Sequence, residues 1–116
     1  MGTLRTEERE RIYTAYRNRG ELAGECKLCN KPPLQSFRFW KIAENSFPYD
    51  KIAEAHHMII SFRHVTESGL NAKELKEIGE LKTGYINKNY DFVMEPTQKN
   101  KTIPEHFHLH LIVAKN

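Results

Sequence analysis

At 116 residues the chain is long enough to bury one hydrophobic core and too short for two, so a single domain over 1–116 is expected. Its 18 Lys and Arg against 15 Asp and Glu leave a formal charge of +3, which suits an anionic ligand; the two signs are interleaved, so nucleic acid is not indicated. No stretch is apolar enough for a membrane span or a signal peptide and the opening ten residues are charged, so a cytoplasmic protein without a membrane partner is expected.

Residues 6–19 read as a helix. Thr6 can cap it, Glu7 and Glu8 suit its positive end, Arg17 and Arg19 its negative end, and Gly20 can stop it. Its apolar face is thin (Ile12, Tyr13, Ala15, Tyr16), as in an appendage packed on a domain. Cys26-Lys27-Leu28-Cys29 then presents two thiols, closed by Pro32-Pro33. These are the only cysteines in the chain, and in a reducing compartment the Cys-x-x-Cys spacing marks metal or redox chemistry more often than a disulfide. Residues 37–44 alternate imperfectly and read as a strand, and residues 45–50 as a turn around Pro48. A second strand, over 57–62, is apolar enough to be central. Asn71 with Glu74 three residues on predicts a capped helix whose apolar face is Leu75, Ile78, Leu81 and Tyr85. Residues 90–95 and 106–114 read as further strands. The sum is an α+β domain with an antiparallel sheet.

The last strand carries the most informative pattern, His106-Phe107-His108-Leu109-His110-Leu111-Ile112. Side chains alternate along a strand, so three histidines at i, i+2 and i+4 form one row, about 6–7 Å apart, with Phe107, Leu109 and Leu111 on the other face. Imidazole titrates near neutrality and serves as nucleophile, proton donor or metal ligand, so the row suggests a site.

These seven positions fit the signature of the histidine-triad family, His-apolar-His-apolar-His-apolar-apolar, and the resemblance extends back through Asn45-Ser46-Phe47-Pro48-Tyr49 and residues 56–65, where the family has a strand ending in Arg-His. The branch resembled most is the zinc-containing one related to galactose-1-phosphate uridylyltransferases. The resemblance implies a small antiparallel sheet with one long packed helix, here preceded by a helical appendage (1–22) and a zinc knuckle (23–34). It implies nucleotidyl transfer or hydrolysis at an α-phosphate, with a nucleotide or nucleotide conjugate as partner and a homodimer as in many relatives. His108 would be the nucleophile that forms a covalent nucleotidyl intermediate, and His110 would bind the phosphate. Asn45 and His56 would line the substrate site, although Asn45 also suits a simple turn and a strand histidine is often just a satisfied polar group. Cys26, Cys29, His64 and His106 would hold a structural zinc, a donor set that tetrahedral zinc favours.

The chain departs from the family where many relatives carry Gly-Gln-Ser or Gly-Gln-Thr before the triad. Ile103 stands at the hydroxyl position, with Lys101 and Thr102 as substitutes from a shifted register. Two further readings remain open at this level. One is a zinc-stabilised module that binds nucleotides or RNA ends without turnover, using Phe37, Phe39, Trp40 and Tyr49. The other is a metalloenzyme whose catalytic metal sits on the histidine row itself.

Overall fold

The computed structural model describes residues 4–18, 26–97 and 103–116. Helix α1 (Glu7–Asn18) precedes an antiparallel sheet of β1 (Gln35–Ser36), β2 (Trp40–Glu44), β3 (Ala53–Ser61), β4 (Phe92–Met94) and β5 (His108–Ala114), in spatial order β1-β2-β3-β5-β4. Between β3 and β4 a 3-10 turn (Glu67–Gly69) leads into α2 (Ala72–Leu81), a π turn (Lys82–Ile86) and α3 (Asn87–Asn89), helical without a break from 72 to 89. The α+β class and the antiparallel sheet are as expected. Among the described residues no helix is long and apolar enough to cross a membrane.

Period-2 alternation gives the sheet two buried faces. Trp40, Ile42, Ile59, Leu109 and Leu111 meet Ile78 and Ile86 of the helical layer, with Phe107 in the same cluster. Ala43, Met58 and Ile60 point the other way and pack with Leu28 of the cysteine turn. The centre of β3 is therefore apolar on both sides, as the run Met58-Ile59-Ile60 suggested.

Strand boundaries differ from the expectation for identifiable reasons. The imperfect alternation over 37–44 is a hairpin, in which the Phe37 N–H donates to the Trp40 carbonyl at 2.7 Å and reverses the chain between β1 and β2. β3 starts earlier than residue 57 because Ala53 and Ala55 pair with Ala114 and Val113, so partner strands recruit a segment of weak intrinsic preference. β5 starts at His108, not His106: the Phe107 N–H donates to the Val65 carbonyl at 2.7 Å, outside the β3–β5 ladder. The expected row of three histidines on one strand is thus a pair, His108 and His110, preceded by a bend at His106.

The capping box predicted at Asn71 and Glu74 is present in both directions. The face of the helix differs. Its inward stripe is Glu74, Ile78, Leu81 and Ile86, while Leu75 is 52% exposed and Tyr85 lies outward as well. Glu74 goes inward because Arg63 meets it with two hydrogen bonds, Nε to Oε2 at 3.0 Å and Nη2 to Oε1 at 2.6 Å. The step from Leu81 to Ile86 is one residue longer than an α-helix allows, and the π turn absorbs the extra residue. A reciprocal cap is worth about 1 kcal/mol, or roughly 4 °C of melting temperature in a domain of this size. With Arg63 also losing its partner, Glu74→Ala is expected to lower the melting temperature by about 8–10 °C, read by thermal unfolding; a shift under about 2 °C would contradict this account of the helix.

In α1, the Arg9 N–H reaches the Thr6 hydroxyl at 3.4 Å and Glu7, Glu8 and Glu10 fill the first turn. Arg19 and Gly20, expected at its end, lie outside the described residues. Tyr13 is buried, in edge contact with Phe47 at 5.2 Å, whereas Ile12 is exposed despite its place on the expected apolar face.

Candidate functional site

His56 and Met58 on β3 and His110 on β5 lie on the face opposite the helical layer, where Met58 pairs with His110 and Ile60 with His108. His56 and His110 are 3% and 6% exposed, and their rings meet edge-on through His56 Nε2 and His110 Nδ1 at 2.7 Å. The Tyr49 N–H donates to His56 Nδ1 at 2.9 Å, so that nitrogen carries a lone pair and the His56 proton sits on Nε2. Nε2–H then donates to His110 Nδ1, which leaves the His110 proton on its own Nε2. The His108 ring lies 5.3 Å from that of His110, and His108 Nδ1–H donates to the His106 carbonyl at 2.9 Å. A carbonyl only accepts, so in the neutral ring the proton is on Nδ1 and the lone pair on Nε2. Two neighbouring imidazoles are thereby fixed in opposite roles, one basic nitrogen and one N–H donor.

Tyr49 stacks on His110 at 5.3 Å and 28° and leans on His56 at 4.5 Å. Burial, then the charges of Arg5 and of the neighbouring histidines, pushes His56 down to about 3; burial, then His108, His56 and Arg5, takes His110 to about 3. The unfolded chain protonates both rings as pH falls through the ordinary imidazole value near 6.5, while the folded chain does not until about 3. The unfolded state therefore binds more protons throughout that window, and acidification destabilises the fold. From pH 6.5 to 5 the pair is expected to cost at most about 3 kcal/mol. Urea unfolding at the two pH values should show this difference in the natural chain and lose most of it in His56→Gln/His110→Gln; equal slopes would mean that both rings are solvated.

Asn45, also a substrate candidate, makes the turn that precedes this site: its Oδ1 accepts the Phe47 N–H at 2.8 Å. Its Nδ2 lies 3.2 Å from His56 Nε2, donor against donor, and adds no bond there. His57 points to the helical side, as the alternation required, and its Nδ1 shares a 2.6 Å hydrogen bond with the Tyr90 hydroxyl. Ile103 packs against the cluster of Leu28, Ala43, Met58 and Ile60; Lys101 and Thr102 lie outside the described residues. The aromatics read as an exposed binding surface are not one. Trp40 is fully buried, Phe37 and Phe39 pack against the core, and Tyr49 is committed to the histidines.

Cys26, Cys29, His64 and His106 converge, with one donor atom from each and all four within 4.8 Å of one another. His106 Nε2–H donates to the Ser61 carbonyl at 2.6 Å, which leaves Nδ1 as the lone-pair nitrogen, 3.4 Å from the sulfurs of both Cys26 and Cys29. His64 Nδ1 lies 3.2 Å from the Cys29 sulfur. Metal–sulfur bonds of about 2.3 Å and metal–nitrogen bonds of about 2.1 Å at a tetrahedral angle place S and N roughly 3.5 Å apart, so the spacing fits one shared ion. The carbonyl behind His106 is the outer-shell acceptor that a ligating histidine requires. Burial first, then the Cys26 thiol, raises the Cys29 pKa; a bound cation favours the thiolate that ligation requires.

Two lysines that the sequence reading passed over fix the cysteine turn to the sheet. Lys41, 6% exposed, donates to the carbonyls of Cys29 at 3.3 Å and Lys31 at 2.9 Å, and Lys31 reaches the Glu44 carbonyl at 2.9 Å. A lysine between Trp40 and Ile42 on a strand with two buried faces was the available signal. His106 joins the two clusters, since its ring faces the thiols and its carbonyl holds His108. Comparisons with protein-family models and with curated protein sequences find no match.

Proposed function

We propose that the chain is a histidine-triad nucleotide hydrolase or nucleotidyltransferase that acts at an α-phosphate through a covalent nucleotidyl-His108, with a structural zinc at Cys26, Cys29, His64 and His106. The observation that carries this reading is the fixed tautomer of His108, whose Nδ1–H is held by the His106 carbonyl beside His110. The His108 Nε2 lone pair attacks the α-phosphorus, and the bond from phosphorus to the leaving group breaks with its electron pair. Water or another acceptor then attacks the same phosphorus, the P–N bond breaks with its pair returning to Nε2, and the acceptor's proton passes to solvent. His110, with its proton on Nε2, donates to a phosphoryl oxygen, and His56 keeps it in that tautomer. Zinc, when bound, supplies a closed crosslink between the cysteine turn and the residues that lead into β5.

The test is intact-protein mass spectrometry of reactions with a panel of dinucleoside polyphosphates, nucleoside phosphoramidates, adenylylated acceptors and sugar nucleotides, quenched without acid. A mass gain equal to one nucleoside monophosphate is expected and identifies the base. Metal-loaded, folded protein that binds a nucleotide yet yields neither adduct nor product would make the chain a binding module instead.

A further inference from the structure

The amino-terminal segment has no place in the chemistry above, yet three consecutive residues of it bond the turn that serves the histidines. The Lys51 N–H donates to the Leu4 carbonyl at 2.9 Å. Arg5 Nε donates to the Phe47 carbonyl at 2.8 Å. The Thr6 N–H and hydroxyl donate to the two Asp50 oxygens at 2.7 and 2.8 Å. The Arg5 guanidinium lies 4.2 Å from the centre of the Tyr13 ring and 5.0 Å from that of Tyr49, so it joins an aromatic of α1 to the aromatic that stacks on His110. Tyr49 has two duties toward the site: its N–H selects the His56 tautomer and its ring bounds His110.

We propose that Arg5 is a positioning residue of the histidine site, holding residues 47–50 in the one shape that lets Tyr49 set the tautomers of His56 and His110. Its planar guanidinium suits this task, because it stacks on rings while its edge donates to a carbonyl, which an ammonium does less well. Only the kinetic part of the test rests on the function proposed above, since ring tautomers are read without turnover.

The test uses the full chain, labelled with 15N in histidine, at pH 7.5, as the natural protein and as Arg5→Met, Arg5→Lys and Asp50→Ala. Long-range 1H–15N spectra should give one tautomer for His56 in the natural chain, protonated at Nε2. In folded Arg5→Met and Asp50→Ala, both His56 and His110 should become mixtures with at least about a fifth of the other tautomer, and Arg5→Lys should be intermediate. With a substrate found by the adduct assay, Arg5→Met should lower kcat by about tenfold or more and leave KM within about twofold. Unchanged ring nitrogens in both folded variants would overturn the proposal. Where Arg5→Met does not fold, Asp50→Ala decides; unfolding of both would also overturn it, since the arm would then determine the fold and not two rings. Shifted tautomers in a chain that turns nothing over would uphold the positioning role and reject the enzymatic one.

Discussion

Cys26→Ser protein is expected to carry less than about 0.1 equivalent of metal, against about one zinc per natural chain, and to melt at least 10 °C lower. The sulfur of Cys26 is one of four atoms that could hold a metal ion, and an alcohol neither ionises near neutrality nor binds zinc comparably. Structural zinc contributes about 10–16 kcal/mol of apparent binding free energy in small fingers. Here the sheet has its own core, so loss of the ion should weaken the fold without abolishing it. The damage should be local to the residues that enter β5, because His106 is held both by the thiols and by the Ser61 carbonyl. Hydrogen exchange should accordingly rise at 106–108 before it rises in the centre of β3. Elemental analysis and thermal unfolding check the first two effects. Full metal content with unchanged stability would remove the metal centre, and a metal that survives this change would point to the histidine row instead.

His108→Asn is expected to abolish the covalent adduct and to lower turnover by about a millionfold, the scale on which a lost nucleophile acts. Asparagine keeps a polar group of similar reach but has no basic nitrogen, so substrate affinity should change by only about twofold. His110→Asn should behave differently. It retains an N–H donor, so an adduct should still form, about a hundredfold more slowly, the scale set by one donor to a developing oxyanion. Equal losses for the two variants would mean that neither histidine is the attacking group. Because His108 faces His110 at 5.3 Å and takes its tautomer from a backbone carbonyl, neither substitution should disturb the metal, and metal content is the control for both.

The features legible in the sequence are those that short-range geometry dictates. Alternation placed His108 and His110 on one face with Leu109 and Leu111 on the other, and the spacing of Asn71 and Glu74 gave the cap. The four metal-cluster residues came from the family resemblance, and the structure gathers all of them. Misreadings occur where a distant partner overrides the local pattern. Leu75 belonged to the predicted apolar face, but Arg63 draws Glu74, eleven positions after it, inward and turns Leu75 to solvent. His106 looked like the first residue of a strand because the bend that aims it at the thiols depends on Cys26, eighty residues away. Arg5 was invisible for the same reason, as its partner Phe47 lies forty-two residues on and nothing in Leu4-Arg5-Thr6 announces an arm.

The π turn at Lys82–Ile86 has a consequence for chain length. It holds one residue more than the α-helical path from Leu81 to Tyr90 requires, with Ile86 still delivered to the core and Tyr90 to His57. Removing Thr83 would close the turn into ordinary α-helix and leave both of those residues where they are. Between Ala72 and Leu81 the same deletion would rotate everything after it by about 100° relative to the residues before it, and Ile78 and Ile86 could not both keep their places in the core. Single-residue length differences among descendants of this sequence should therefore collect at 82–84, a seam where the helix can be shortened without either face of the sheet registering the change.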